Sequence, residues 1–209
     1  MKSTKMAAPN VGWIETKLDK EHIDFLWERI DKQKKETYKG ELAGNISRSF
    51  EIEDEGDYFF NEVLFPHAEM YRNANHGQHP IRDHAHGDLE LKLHGFWSNY
   101  QHQGEFNPYH HHGGVYSFAI WLTIPTDWRE QMKLPFLEGI KDVDKRASNF
   151  EFEYQDILGG IRNFAYRLDK SLEGTMLFFP ASLRHTVYPF YNCEEARVSV
   201  AGNLWYLTE

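Results

Sequence analysis

The stretch NPYHHHGGVYSFAIWL, residues 107–122, sets His110, His111 and His112 between a turn and a β-prone run. On an extended strand, side chains at i and i+2 share a face. His110 and His112 therefore project together, while His111 points away. Neutral imidazole is a common ligand for first-row transition metals, so one strand end offers two ligands. Asn107, Pro108, Gly113 and Gly114 bracket the run and place it near a rim. A metal site needs a third ligand, and the best candidate is His185 in FFPASLRHTVYPF. It opens a strand after a Pro-containing turn, where a jelly roll can fold a late strand back beside an early one. Twelve residues on, Arg197 and Ser199 in RVSV again stand at i and i+2. Arginine is a planar, always-charged fork for a carboxylate. Buried in a barrel, it requires an anion, from the protein or from a ligand.

The chain has twelve histidines, and His84 with His86 form a rival pair beside Asp83 and Asp88. That pair sits in a polar loop with no β-prone run before it and reads as solvated. Asn99 and Tyr100 in FWSNYQ lie on the strand preceding the histidine run, and Tyr109 flanks it. Trp97 and Trp121 read as core aromatics. Glu105 and Asp127 are near the run but not at a ligand position. Cys193 has no flanking basic residue to activate it.

These residues must be positioned by a fold of 209 residues, a length that one β-rich domain commonly reaches. Hydrophobic residues make up 41% and aromatics 15%, enough for a packed core. The net charge of −9 disfavours a nucleic-acid backbone as main partner. A single cysteine excludes an internal disulfide and points to a reducing compartment. No stretch approaches the about 18 apolar residues of a membrane span. MKSTKMAAPNVGW has no apolar core of signal-peptide length, so the expectation is a soluble cytoplasmic protein.

Residues 19–36 read as a helix, with Ile23, Leu26, Trp27 and Ile30 on one face and Asp19 as N-cap. Residues 57–73 give a second helical pattern, capped by Asp57 and kinked or restarted at Pro66. Residues 73–88 read as loop. From there short β-prone runs follow, such as LELKLHGFWSNYQ, VYSFAIWLTIP, NFEFEYQDI, NFAYRLD, TMLFFP, HTVYPF and RVSVAGNLWYL. The expectation is a mainly β fold with N-terminal helices, a β-sandwich or jelly roll. One domain spans 1–209, with helical support and loop over 1–90 and a jelly-roll core over 91–209. Residues 126–148 read as a surface insertion.

The segments FWSNYQHQGEFNPYHHHGGVYSFAIWLTIP and GTMLFFPASLRHTVYPFYNCEEARVSVAGNLW together resemble the non-haem iron, 2-oxoglutarate-dependent oxygenases. The resemblance is nearest to those of tailed phages and marine bacteria, with a distant likeness to prolyl hydroxylases. It covers roughly residues 93–205. The ordered set of His-x-His after NP, then FFPASLRH, then Arg-x-Ser carries it. The resemblance implies a double-stranded β-helix in which His110, His112 and His185 bind Fe(II). Arg197 and Ser199 would grip the distal carboxylate of 2-oxoglutarate, and Asn99 would line the co-substrate site. The implied reaction couples oxidative decarboxylation to hydroxylation of a peptide side chain or small molecule. One departure stands out: the usual facial triad has two histidines and a carboxylate, whereas His112 occupies the carboxylate position. That leaves open a tolerated three-histidine site, another metal, or lost catalysis.

Two other functions stay open at this stage. One is a cupin-like three-histidine metalloenzyme that uses no 2-oxoglutarate. The other is a non-catalytic metal-binding β-sandwich module. The aromatic-rich ends leave pairing into a homo-oligomer open.

Overall fold

The computed structural model describes residues 12–33, 44–74 and 90–207. The expectations for 34–36, for the loop 75–88 with His84 and His86, and for the first residues of the chain lie outside the described residues. Within them the order is β1 (Ile14–Lys17), α1 (Lys20–Lys32), β2 (Arg48–Glu51), α2 (Phe65–Ala74), β3 (Glu90–Gln101), β4 (Asn107–His110) and β5 (Tyr116–Thr123). The short helix α3 (Trp128–Gln131), β6 (Phe150–Gln155), β7 (Ile161–Tyr166), β8 (Thr175–Pro180), β9 (Arg184–Val187) and β10 (Arg197–Leu207) follow.

The strands form two sheets. The larger runs β1-β8-β5-β10-β3-β2 and the smaller β4-β9-β6-β7. Every pairing is antiparallel. The result is the expected mainly β jelly roll, a double-stranded β-helix backed by helices. Helices, large sheet and small sheet form three layers with a core between each pair of neighbours. On the outer face of the large sheet, Phe96, Phe118, Ile120 and Val200 pack against Leu26 and Ile30 of α1 and Leu64, Ala68 and Tyr71 of the second helical stretch. Between the sheets, Trp121, Phe150, Phe152, Leu177 and Phe179 form a second core. β5 lies between both cores, which is why its sequence is apolar almost without alternation.

The N-terminal part differs in detail from its sequence pattern. It contributes β1 and β2, which flank the large sheet as edge strands, in addition to its helices. Asp19 occupies the first cap position without a side-chain cap bond. Asp57 does not cap the second helix, since its φ is +54. Asp54 takes that role, accepting from the backbone N–H groups of Phe59 and Phe60, both at 2.8 Å. A wide turn in which Phe65 N–H reaches Phe60 O then leads into α2. Pro66 therefore sits in the first turn of a restarted helix, where its missing N–H leaves nothing unsatisfied.

Candidate active site

His110 ends β4 and stands directly opposite His185 on β9, which in turn pairs with Phe152 on β6. Cross-strand neighbours in register share a face, so both imidazoles point between the sheets. His112 lies beyond the strand, held by its N–H donating to Ala181 O at 2.9 Å. The next turn is possible because residue 114 is glycine. Its φ is +92, and a Cβ there would sit 2.6 Å from Leu204 O. The three rings converge: centroids are 4.2 Å apart for His110 and His185, 5.0 Å for His110 and His112, and 5.2 Å for His112 and His185. One ligating nitrogen from each lies within 4.8 Å of the others.

Local hydrogen bonds prepare these rings. Nδ1 of His110 lies 2.8 Å from Pro108 O, and Nδ1 of His185 lies 3.0 Å from Leu183 O. A carbonyl only accepts, so each Nδ1 carries the proton and each Nε2 keeps its lone pair for a cation. Burial, reinforced by the neighbouring imidazoles, holds all three below the usual histidine range. His112 is lowered to about 4, and His185 and His110 are lowered in the same direction. All three are neutral at physiological pH, the state a metal requires.

The same cavity is lined by Arg197, Ser199 and Ala201 of β10, Trp97, Asn99 and Gln101 of β3, and Ala119 and Trp121 of β5. The registers explain this: Arg197 opposes Gln101, Ser199 opposes Asn99 and Trp121, and Ala201 opposes Trp97 and Ala119. Arg197 is only 2% exposed, yet among the described residues no carboxylate pairs with it. Nη1 donates to Gln101 Oε1 at 3.1 Å, and Nη2 donates to Ser148 Oγ at 2.6 Å and Ser148 O at 3.2 Å. Phe190 lies 5.0 Å beneath the guanidinium, and Nε has no partner. Burial alone pulls the guanidinium down to about 9, so it stays charged and uncompensated. A buried cation with an orphaned donor in a cavity is the complement of a ligand carboxylate.

Other expectations fall out by face. Asn99 lines the cavity, and its Oδ1 accepts from Ser49 Oγ at 2.6 Å. Tyr100 points the opposite way, edge-on to Phe50, so it does not meet the site. Tyr109 also turns outward and donates to Glu151 at 2.6 Å. His111 is exposed. Glu105 is taken up by the backbone N–H groups of Ser47 and His102, and Asp127 caps α3. Trp97 and Trp121 were expected to be core alone, but they also form the cavity wall, and Trp97 lies 6.2 Å from His112. Gln101 was missed, although it extends the Asn99 face by one further i+2 step. Ser148 gave no signal, lying in the segment expected to be a surface insertion.

Three imidazoles and an uncompensated guanidinium line one cavity between the sheets of a jelly roll, a donor set of the kind that suits a metal and a carboxylate. The donor set fits a first-row metal ion, and the orphaned Arg197 Nε fits an acid. The family model described as "Putative 2OG-Fe(II) oxygenase" matches residues 95–203, more than half of the chain, and the chain belongs to that family. It is accordingly a 2-oxoglutarate-dependent dioxygenase with Fe(II) as its metal. No curated protein matches the sequence. Among solved structures, a Pseudomonas putida prolyl-4-hydroxylase superposes with TM-score 0.53 at 13% identity, covering 94% of each chain. A viral collagen prolyl hydroxylase from Paramecium bursaria Chlorella virus-1 gives 0.52 at 11%, covering 93% of this chain and 96% of the other. A Burkholderia pseudomallei oxidoreductase of the 2OG-Fe(II) oxygenase family gives 0.50 at 12%, covering 93% and 86%. At these identities the likeness concerns the fold. No helix among the described residues is long and apolar enough to cross a membrane.

Proposed function

We propose that His110, His112 and His185 hold Fe(II), that Arg197 with Ser199 binds the distal carboxylate of 2-oxoglutarate, and that the enzyme hydroxylates a peptide side chain or small molecule in the cytoplasm. The observation that carries this reading is that the three ligating nitrogens and the buried, uncompensated guanidinium of Arg197 line a single cavity. When bound, Fe(II) and 2-oxoglutarate supply oxidative decarboxylation to succinate and carbon dioxide coupled to oxidation of a C–H bond. The chain's part is to bind and orient. Proton placement on Nδ1 of His110 and His185 leaves both Nε2 lone pairs free for the cation. Arg197 and Ser199 select an acid by charge and hydrogen bonding, and Asn99 borders the same wall. Trp97, Trp121, Phe150 and Val187 make much of the remaining lining apolar, which favours an uncharged, C–H-bearing group and excludes water from the reacting bond.

Three neutral ligands replace the usual two plus a carboxylate, so the protein donates no negative charge to the metal. The dianionic co-substrate supplies the compensation, and Arg197 shares in it. Metal and co-substrate binding are thereby coupled. Anaerobic calorimetry tests this directly: 2-oxoglutarate should bind the Fe(II)-loaded protein and bind at least about tenfold more weakly without metal. Equal binding with and without metal, or none at all, overturns the assignment. Succinate formation in air, lost in His185→Ala, completes the test.

A further inference from the structure

The chain between β5 and β6 comes up behind Arg197 at Ser148, a fully buried residue with φ +68. A non-glycine residue in that region is strained and persists only where its surroundings over-determine it. Here they do. Both of its oxygens face one nitrogen of Arg197, the hydroxyl at 2.6 Å and the carbonyl at 3.2 Å. With Oγ accepting from the guanidinium, its own proton is left for Thr126 Oγ1, 3.2 Å away. Its backbone N–H donates to Pro189 O at 2.8 Å. The other terminal nitrogen of Arg197 is held by Gln101, whose Nε2 donates to Glu105 O at 2.6 Å and Tyr188 O at 3.3 Å. Every one of these partners is neutral. The cradle therefore fixes the guanidinium without discharging it, and keeps Nε uncommitted.

We propose that Ser148 is a positioning residue for the co-substrate: its hydroxyl and carbonyl together orient Arg197 so that the free Nε–H is presented to the distal carboxylate of 2-oxoglutarate. The proposal rests on the assignment of Arg197 as the carboxylate anchor. It also gives the 126–148 segment a task, since that segment brings against Arg197 a residue that the strands themselves do not supply.

Two substitutions separate positioning from structural support. Ser148→Ala removes the hydroxyl and keeps the backbone strain. Ser148→Gly removes both, so its thermal midpoint should exceed that of the alanine variant. If Ser148 served structure alone, affinity would follow stability and the glycine variant would bind normally. If it positions Arg197, both variants bind 2-oxoglutarate at least about fivefold more weakly in anaerobic calorimetry on Fe(II)-loaded protein. Fe(II) affinity measured with the metal alone should stay at the wild-type value. In turnover, the KM for 2-oxoglutarate should rise by a similar factor while kcat at saturation changes less than about twofold. Wild-type-like affinity in the glycine variant overturns the proposal and leaves the Arg197 assignment standing. Absence of 2-oxoglutarate binding by the wild-type protein overturns both.

Discussion

His110 and His185 face each other across the β4–β9 pair with ring centroids 4.2 Å apart, although four strands, β5 to β8, intervene between them in the sequence. Two imidazolium ions at that spacing, with a third ring beside them, repel strongly in a partly desolvated site. The trio is therefore built to be neutral, as the proposed Fe(II) site requires.

The first consequence is metal-linked stability. Fe(II) at 100 times its Kd should raise the unfolding free energy of the wild-type protein by about 2.7 kcal/mol. In His185→Ala that increment should fall to near zero. Anaerobic thermal unfolding with and without Fe(II) measures it, and an undiminished increment in the variant places the metal elsewhere.

The second concerns pH in the chelator-treated, metal-free protein. His112 titrates at about 4 when folded against an ordinary 6.5, and His110 and His185 shift in the same direction. Between those limits the unfolded chain binds protons that the folded chain refuses. Stability is then lost as pH falls from about 6.5 toward 4, and His112 contributes no further loss below its folded value. Denaturant titrations at pH 7.5, 6 and 5 should show the decline, with a shallower slope in His112→Gln.

Charge at position 101 gives a third. Gln101 holds Arg197 without neutralising it. In Gln101→Glu the guanidinium acquires an internal counter-ion, so 2-oxoglutarate binding should weaken about tenfold or more while the thermal midpoint holds or rises. Arg197→Lys should lower affinity by a comparable factor, because an ammonium lacks the planar fork. Unchanged affinity in both variants would remove Arg197 from the co-substrate site.

A fourth addresses the turn after His112. In Gly114→Ala a Cβ must fit at φ +92 and 2.6 Å from Leu204 O. That carbonyl already accepts from Val115 N–H at 2.8 Å and cannot easily retreat. The expected cost is about 1–3 kcal/mol in urea unfolding, accompanied by weaker Fe(II) binding as His112 shifts. A neutral result would mean that the turn relaxes freely.

The site was legible where chemistry and spacing coincide. His110, His112, His185, Arg197, Ser199 and Asn99 all line one cavity, because i, i+2 alternation on strands transfers directly into a shared face. The long strand β3 was legible from its alternation, and β5 from a nearly continuous β-prone run. β1 and β2 were not: IETK and RSFE are four-residue edges whose identity comes from the strand beside them. Asp54 and Asp57 compete for one cap, and only the path of the chain decides between them. Ser148 was hidden most thoroughly, since its role arises from a contact with Arg197 across the fold that no periodicity encodes.

β10 is the last described strand in the chain, yet it lies at the middle of the large sheet, between β5 and β3. Until it is synthesised and inserted, those two neighbours expose unpaired backbone toward each other across an open seam. Nascent or C-terminally shortened chains should therefore be adhesive rather than partly active, prone to recruit a strand from elsewhere. Closing that seam also delivers Arg197, so completion of the large sheet and assembly of the cavity wall coincide in a single folding event.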